Sequence, residues 1–289
     1  MISQTFEYTA PKSLEEALQL LANGAKPLSG GMSLIPMMKL RLAAPDHLVD
    51  LARLKDLNYI REEGGALHIG ATTTHQEVTA SALVRGKCPL LSQTAGGVGD
   101  PQVRNRGTIG GSVAHADPSA DYPAALQALE AKFVLKGAKS ERTVSAADFF
   151  LDTFTTALEP GEIVREAIVP VEDSGTGTHY EKVVQRASGF AVVGIAVRIK
   201  KAAGKIEWAR VGVTGLSNHA YRATAVEKAL EGTNGSATDV QHAAAMVAEG
   251  IDANSDLHAS AEYRKHLAVV HTARALLAAL SRCEQPRSA

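Results

Sequence analysis

The chain has 289 residues, of which 45% are hydrophobic and 21% charged, a composition typical of a globular protein that buries a core. Its 30 Lys and Arg residues nearly balance 31 Asp and Glu residues, so the formal net charge is −1. No long basic run is present to follow a phosphate backbone, which argues against nucleic acid as a partner, and the length favours two or three packed units over one.

The sequence contains no signal for export, membrane insertion or metal binding. The first residues, MISQTFEYTAPKS, lack the basic and apolar regions of a signal peptide, and apolar runs elsewhere stop well short of the ~18 residues that a membrane span needs. Cys88 and Cys283 match none of the paired spacings of zinc or iron–sulfur ligands, and no HExxH motif occurs. We therefore predict a cytoplasmic protein with no metal site and no catalytic residue of its own.

The first predicted elements surround a glycine turn. Ser13 and Glu16 have the spacing of a capping box, apolar residues then recur at helical spacing, and Asn23-Gly24 is typical of a helix end. A short strand at 25–28 enters the turn Ser29-Gly30-Gly31-Met32-Ser33, and a second short helix is predicted over 36–41.

A mixed set of elements follows as far as residue 170. A capping-box pattern at Thr74 and Glu77 predicts a helix directly after it. The other predictions are strands at 47–51 and 57–71, the latter a hairpin folded at 63–65, a helix at 89–99, a small-residue strand or turn at 108–114, a helix at 121–131, and strands at 132–136 and 162–169.

Near residue 175 the chain becomes polar and glycine-rich, which indicates a surface connection between units. Beyond it we predict two long strands at 190–200 and 205–216, and then helices at 221–230, 237–250 and 261–283. This second unit has an α+β pattern.

Two glycine turns carry the strongest chemical signal, the first at 29–33 and the second at 107–112, Gly107-Thr108-Ile109-Gly110-Gly111-Ser112. Adjacent glycines let the main chain approach a ligand closely, and serine and threonine hydroxyls add donors that suit a pyrophosphate. Either turn alone is better explained as a tight connection, and only the pair favours a ligand site. Neither matches GxGxxG, and no Walker A loop occurs, so a Rossmann or P-loop nucleotide site is not indicated.

The two turns and their surroundings resemble the FAD-binding medium subunits of molybdenum hydroxylases, the family of carbon monoxide dehydrogenase and xanthine dehydrogenase. The similar stretches are KPLSGGMSLIP at 26–36 with Lys39-Leu40-Arg41, then DPQVRNRGTIGGS at 100–112 with Ala116-Asp117-Pro118 and Asp121-Tyr122-Pro123, and finally Tyr180, Lys182, Arg186, Phe190 and Ala191. The resemblance continues from residue 211 towards the carboxyl terminus and so spans nearly the whole chain.

This resemblance implies an α+β fold in two domains. Residues 1–175 are expected to form a two-subdomain FAD-binding fold of the vanillyl-alcohol-oxidase (PCMH) type, with subdomains at about 1–55 and 56–175. Residues 176–289 are expected to form a C-terminal domain of the carbon monoxide dehydrogenase flavoprotein type, a three-stranded antiparallel sheet with helices.

The resemblance also implies which residues contact FAD. The first turn would bind the pyrophosphate, the second turn and Val98 would line the flavin and its ribityl or phosphate arm, and Asp121 would accept from a cofactor hydroxyl. Val164, Lys182 and Phe190 would lie at the ring, its polar edge and its face. The full implied set is Leu28, Ser29, Gly30, Gly31, Met32, Ser33, Leu34, Val98, Thr108, Ile109, Gly110, Gly111, Ser112, Asp121, Val164, Lys182 and Phe190.

At three positions this chain departs from its relatives. Many have His or Gln where Met32 stands and Asn where Ser112 stands, so side-chain contacts to FAD at these two positions are left open. The carbon monoxide dehydrogenase subunit has tyrosine where this chain has Phe190, which keeps the stacking but loses a hydroxyl.

The implied complex is a heterotrimer, paired as a dimer of heterotrimers in the family's manner. A large subunit would hold the molybdenum cofactor and select the substrate, a small subunit would hold [2Fe–2S] clusters, and this chain would pass electrons on to NAD, a quinone or oxygen. A stand-alone FAD-dependent oxidoreductase of the same fold and a nucleotide-binding scaffold are the alternatives. If both glycine turns contact the cofactor, a β-branched residue at Gly31 or Gly110 should abolish flavin loading and leave much of the fold intact.

Overall fold

The computed structural model describes residues 3–283. The first two residues and the last six, which belong to the predicted domains 1–175 and 176–289, lie outside the described residues. The described chain has an α+β fold in which helices pack against separate sheets.

The first layer is a small parallel sheet with two helices. Its strands β1 (Glu7–Thr9), β2 (Lys26–Leu28) and β3 (His47–Asp50) have the order β1-β3-β2, and its helices are α1 (Leu14–Ala22) and α2 (Leu34–Lys39). Ser13 caps α1 as predicted, accepting from the Glu16 amide at 3.2 Å. The predicted capping box is wrong in one detail: the Glu16 carboxylate would accept from the Ser13 amide in such a box, but here it accepts from the Lys12 amide at 2.8 Å.

The second sheet is antiparallel. Its strands are β4 (Ile60–Glu63), β5 (Ala66–Gly70), β6 (Lys132–Lys136), β7 (Glu141–Ser145) and β10 (Ile163–Pro170), in the order β4-β5-β10-β6-β7, with the small hairpin β8 (Phe150–Asp152) and β9 (Thr155–Thr156) nearby. The predicted hairpin is confirmed, since Gly64 and Gly65 make its turn with positive φ angles of 58° and 79°.

Most of the helices of this part of the chain lie between β5 and β6. They are α3 (His75–Ala80), α4 (Ala82–Lys87), α5 (Pro89–Gly96), α6 (Pro101–Arg104), α7 (Ile109–His115) and α8 (Asp121–Ala128), with α9 (Ala146–Phe149) after β7. The strand or turn predicted at 108–114 is therefore wrong. Thr108 is an N-cap whose hydroxyl accepts from the Gly111 amide at 3.1 Å, and this bond starts a helix at that point.

The last part is an antiparallel sheet with helices. The strands β11 (Thr176–Val184), β12 (Ala191–Ala202), β13 (Lys205–Thr214) and β14 (Tyr221–Arg222) pair in chain order, so the three long strands expected are joined by a two-residue fourth. This fourth strand replaces the start of the helix predicted at 221–230. The helices are α10 (Thr224–Leu230), α11 (Ala237–Ala244), which stops short of residue 250, and α12 (Ala261–Cys283), which matches its prediction.

Two contacts join the C-terminal sheet to the helices that precede it. Helix α8 packs so closely on β13 that a Cβ at Gly212 would overlap the carbonyl oxygen of Ala124. On α5, the Gln93 side-chain amide donates to the Tyr180 carbonyl at 3.1 Å and accepts from the Tyr180 amide at 3.2 Å. From α12, which follows the sheet, Arg282 donates to the Thr178 carbonyl at 2.6 Å on the same strand.

Across residues 3–283, no helix combines the length and apolar character needed to cross a bilayer.

Candidate functional site

The two glycine turns meet in space although they are far apart in the sequence. The hydroxyls of Ser29 and Thr108 are 2.9 Å apart and share a hydrogen bond. A Cβ at Gly30 would overlap the carbonyl oxygen of Arg106 and come within 2.8 Å of the Gly107 Cα. The close approach of two main chains therefore requires glycine at position 30.

The main-chain amides of the first turn are available to a ligand. Within residues 3–283, none of the amides at positions 29–33 donates to a protein acceptor. Gly31 has a φ of 75°, a conformation that side-chain-bearing residues rarely adopt, and Ser33 makes no side-chain cap for α2. A row of amide donors without protein acceptors at a partly exposed turn is the arrangement that binds a phosphate oxygen.

Most amides of the second turn are already used by the fold. The Ile109 amide donates to the Thr73 carbonyl at 3.0 Å, and the Gly110 amide donates to the Ala71 carbonyl at 2.9 Å. The Gly111 and Ser112 amides both donate to Thr108, to its hydroxyl and its carbonyl. The second turn therefore presents fewer open amides than the first, and it braces the first turn through the Ser29–Thr108 contact.

The same geometry corrects the expected effect of a substitution at Gly110. This residue is buried, and a Cβ there would lie 2.7 Å from both the Cα and the carbonyl oxygen of Ala71. A valine at position 110 would therefore damage the packing of α7 on the sheet, and lost flavin loading would not separate a cofactor contact from a folding defect. At Gly31 the added Cβ would meet the flexible side chains of Ile35 and Leu28 and no main-chain atom at close range, but the backbone conformation would be strained.

A third turn, Gly97-Val98-Gly99, is held in place from two sides. Arg104 donates to the carbonyls of Val98 and Gly99 at 3.1 and 3.0 Å, and Lys182 donates to the Gly97 carbonyl at 3.0 Å. Opposite this turn, a Cβ at Gly189 would come 3.2 Å from the Gly99 Cα. The structure thus brings the Val98 turn close to Lys182 and to the residue before Phe190.

Asp121 is part of a buried polar cluster. It accepts from the Tyr180 hydroxyl at 2.6 Å and from the Lys182 ammonium at 2.9 Å, and the side chains of Asp121 and Lys182 are only 4% and 7% exposed. Burial raises the pKa of Asp121, whereas the Lys182 charge and the Tyr180 hydrogen bond act to lower it. A carboxylate has further lone pairs, so a contact to a cofactor hydroxyl stays a prediction.

The remaining predicted contacts lie in different environments. Phe190 is exposed, with 40% of its surface accessible, and Met32 is exposed on the first turn. Leu28 and Leu34 are half-buried on either side of that turn. Val164 on β10 is buried in the core shared with Ile109, so the structure places it beneath α7.

His75 is a buried residue that supports the second turn and that sequence reasoning missed. Its amide donates to the Gly107 carbonyl at 3.0 Å, its ring lies 5.2 Å from that of Tyr122, and a Cβ at Gly107 would reach its Nε2 at 2.5 Å. Its Nδ1 is buried and has no hydrogen-bond partner among the described residues. Burial and then the nearby charge of Arg104 lower the pKa of His75 to about 4.

This depressed pKa predicts a stability loss in mild acid. The unfolded chain binds a proton at His75 near its ordinary value of 6.5, whereas the folded chain does so only near about 4. The neutral His75 therefore contributes to the free energy of unfolding at pH values above its unfolded-state pKa. This contribution is lost as the pH drops, by about 2 kcal/mol between pH 7 and pH 5. Urea unfolding of wild type and His75→Leu at both pH values tests this: the wild type should lose about that much more than the variant. An equal loss in both proteins would assign the acid sensitivity to other groups.

Arg104, Arg106 and Tyr180 also shape the site without belonging to the implied contact set. The first two lie in the motif stretch 100–112, and Tyr180 lies in the segment quoted with Lys182. Their positions were therefore visible in the sequence, but their roles were not, because Arg106 and Tyr180 act on partners that are distant along the chain and Arg104 acts through a turn whose shape the sequence does not give. Among residues 3–283, no three His, Cys, Asp or Glu side chains are arranged to hold a metal ion.

Comparison with known proteins assigns each part of the chain. Residues 4–172 match the model of the FAD binding domain in molybdopterin dehydrogenase, and residues 178–279 match that of the CO dehydrogenase flavoprotein C-terminal domain. The chain is 42% identical to the carbon monoxide dehydrogenase medium chain of Hydrogenophaga pseudoflava, covering 98% of this chain and 100% of that one. It is 39% identical to the glyceraldehyde dehydrogenase medium chain of Sulfolobus acidocaldarius, covering 95% and 98%.

Solved structures give the same result. A chain of carbon monoxide dehydrogenase from Hydrogenophaga pseudoflava superposes with a TM-score of 0.95 at 44% identity, covering 98% of this chain and 100% of that chain. A chain of quinoline 2-oxidoreductase from Pseudomonas putida 86 superposes with a TM-score of 0.94 at 32% identity, covering 99% and 100%. Both comparisons extend over the two glycine turns and the C-terminal sheet together.

Proposed function

The chain belongs to the family of FAD-binding medium subunits of carbon monoxide dehydrogenase and related molybdenum hydroxylases, and from that premise we propose that it is the flavin subunit of a heterotrimer, passing electrons from [2Fe–2S] clusters on a small subunit to an external acceptor. FAD is its cofactor, and the enzyme to which it contributes is an oxidoreductase. A large molybdenum-cofactor subunit completes the proposed heterotrimer, and two heterotrimers form the proposed assembly.

The observation that carries this proposal is the set of open amides in the first glycine turn. A dinucleotide such as FAD contains a pyrophosphate that needs several hydrogen-bond donors at close range. Positions 29–33 supply them with no protein acceptor in competition among the described residues. Gly30 lets the second turn approach, and the shared hydrogen bond of Ser29 and Thr108 fixes the distance between the turns.

FAD, when bound, exchanges electrons singly or in pairs, which suits it to connect one-electron clusters with a two-electron acceptor. The chain's own residues hold and orient it. Lys182 supplies a positive charge beside the Val98 turn, and Asp121 fixes that charge. Phe190 offers an aromatic face at the surface of the same region.

The proposed cofactor contacts divide by role. The pyrophosphate end of FAD is assigned to residues 28–34, which comprise the first turn and its neighbours. The ribityl or phosphate arm is assigned to the second turn, which would contact it through side chains and surface shape. The ring end is assigned to Val98, Val164, Lys182 and Phe190, with Asp121 as their support. The complete proposed set is Leu28, Ser29, Gly30, Gly31, Met32, Ser33, Leu34, Val98, Thr108, Ile109, Gly110, Gly111, Ser112, Asp121, Val164, Lys182 and Phe190.

We also propose that the chain divides at residue 175 into a FAD-binding domain and a C-terminal domain. The parallel sheet and its own core of Leu18, Leu21 and Val49 support a subdomain over about 1–55. The larger antiparallel sheet supports the subdomain 56–175, and β11 begins the second domain at Thr176.

We propose that the substrate is selected on another subunit of the complex. The relatives named above carry the names of different activities, although their flavin chains resemble this one throughout. That pattern agrees with selection of the substrate on another subunit.

Analysis of the native complex tests the proposal. We expect molybdenum, iron and FAD to co-purify with this chain in one assembly, and we expect the isolated chain to have no hydroxylase activity. In the complex, removal of FAD should stop transfer to the acceptor but leave substrate able to reduce the clusters, because the clusters come before the flavin in the proposed order. If flavin removal stopped cluster reduction by substrate, that order would be wrong. An active flavoprotein that contains this chain alone would favour a stand-alone oxidoreductase.

A further inference from the structure

The turn Gly97-Val98-Gly99 has all three of its carbonyl oxygens held by cations. Lys182 on β11 donates to the Gly97 carbonyl at 3.0 Å. Arg104, the last residue of α6, reaches back to the turn that precedes its own helix, and its Nη1 donates to the carbonyls of Val98 and Gly99 at 3.1 and 3.0 Å. Two side chains therefore fix the orientation of these peptide units.

Two main-chain amides of the turn point away from Arg104. The carbonyl and the amide hydrogen of a trans peptide lie on opposite sides of the bond. Because the carbonyls of Val98 and Gly99 point to Arg104, the amides that follow them point the other way. These are the Gly99 and Asp100 amides, and neither donates to a protein acceptor within residues 3–283. The turn thus presents two open donors whose direction Arg104 sets.

One of these donors lies next to the loop that carries Phe190. A Cβ at Gly189 would come 3.2 Å from the Gly99 Cα and 3.8 Å from the Gly99 amide nitrogen. Gly189 has a φ of 77° and no side chain, so it leaves that amide uncovered, and Gly99 is partly exposed. The open amide therefore lies at the proposed ring end of the flavin.

Arg104 also supplies a positive charge that no described carboxylate neutralises. The residue is half-buried, and it forms no ion pair with any residue in the range 3–283. Its charge reaches the interior, because burial and then this charge lower the pKa of His75. A guanidinium and two open amides give this side of the turn a positive potential.

We infer that Arg104 is a positioning residue that makes the bound flavin easier to reduce. The inference rests on the proposed function, because the place of the flavin ring beside Val98 and Phe190 belongs to that proposal. In the proposed relay the clusters supply two electrons and solvent supplies one proton, which leaves a net negative charge on the reduced ring. Open amides and a nearby cation stabilise that charge more than they stabilise the neutral oxidised ring. Arg104 contributes both the direction of the amides and the charge.

The test is a potentiometric titration of the FAD absorbance in the purified native complex. Arg104→Met removes the charge and frees the two carbonyls, so the midpoint potential of FAD should fall by about 30 mV, which is a roughly tenfold loss of preference for the reduced form of a two-electron couple. Arg104→Lys keeps the charge without the planar fork of donors, and it should recover roughly half of that fall.

Arg85→Met is the matched control for the loss of charge. Arg85 is exposed on α4, and its side chain makes no hydrogen bond or ion pair to a residue within 3–283. This variant loses the same charge away from the turn, so its FAD potential should equal that of the wild type.

A second measurement separates a redox effect from structural support. Titration of the FAD-depleted complex with oxidised and with dithionite-reduced FAD gives an affinity for each form. In Arg104→Met the affinity for reduced FAD should fall about tenfold more than the affinity for oxidised FAD. A merely structural role would weaken the binding of both forms equally and leave the potential unchanged.

Three results would overturn the inference. One is a wild-type FAD potential in Arg104→Met with full FAD content. Another is an equal fall in Arg85→Met and Arg104→Met, because the effect would then come from net charge alone. The third is loss of FAD from both Arg104 variants, because the residue would then support binding or folding. A native wild-type complex that lacks FAD, or whose FAD cannot be reduced, would instead contradict the proposed function itself.

Discussion

Gly30→Val should leave purification with little or no FAD. The new Cβ would overlap the Arg106 carbonyl oxygen, so the two glycine turns would have to separate and the shared hydrogen bond of Ser29 and Thr108 would break. Overpacking of this kind costs about 1–3 kcal/mol, which lowers FAD affinity roughly ten- to hundredfold. Flavin absorbance per chain after gel filtration measures the loss, and isothermal titration with FAD measures the remaining affinity.

Gly86→Val is the matched control for that substitution. Gly86 lies in α4, and a Cβ there meets no atom within 4 Å, so the same change in side chain alters no contact near the turns. We expect full flavin content in this protein, with at most the small helix-propensity effect of a β-branched residue. Wild-type FAD content in Gly30→Val would mean that the close approach of the turns is unrelated to the cofactor.

Lys182→Met should be among the most destabilising single changes in the chain. It would leave the Asp121 carboxylate buried without its cation, and breaking a buried ion pair in this way costs about 3–5 kcal/mol. The double variant Asp121→Asn/Lys182→Met should recover a large part of that loss, because no unpaired charge remains. Urea unfolding of the wild type, both single variants and the double variant measures the coupling.

The direction in which pH changes the stability of Lys182→Met gives a second test of the Asp121 cluster. Burial raises the pKa of Asp121, and without Lys182 the main opposing influence is gone. A carboxyl whose folded-state pKa lies above its unfolded value favours folding most when protonated, and this contribution is lost as the pH rises through the folded pKa. Lys182→Met should therefore recover stability relative to wild type as the pH is lowered from 7 to 5. A deficit that is constant over this range would mean that Asp121 is not the group left unpaired.

Local sequence signals predicted a good part of the fold. Helix α12 has its predicted bounds because Ser260 caps it, accepting from the Tyr263 amide at 3.2 Å, and because apolar residues recur at helical spacing up to its last turn. The β4–β5 hairpin followed from its two glycines. Where a cap or a turn was misjudged, as at Thr108 or Tyr221, the element type was wrong although its place in the chain was correct.

The site was less predictable because its contacts are non-local. Ser29 and Thr108 could each be seen as part of a glycine turn, but nothing in either turn indicates that their hydroxyls meet. Two amides of the second turn donate to the carbonyls of Ala71 and Thr73. These two residues directly follow the β4–β5 hairpin and lie far earlier in the chain than the second turn. The partners of Asp121 come from β11, beyond the predicted domain boundary, so the buried cluster could not be derived from the motif that contains Asp121.

Gln93 and Arg282 have a consequence for how this chain can associate with others. Strand β11 lies at the end of its sheet, with β12 on one side only. On the other side, where such a strand would expose unpaired main-chain groups, Gln93 satisfies the amide and carbonyl of Tyr180, and Arg282 satisfies the carbonyl of Thr178. These main-chain groups already bond to side chains of the same chain, so a strand of another polypeptide cannot pair with them. This protects the sheet against edge-to-edge aggregation. Partners that join this face must dock through side-chain surfaces and cannot extend the sheet along these residues.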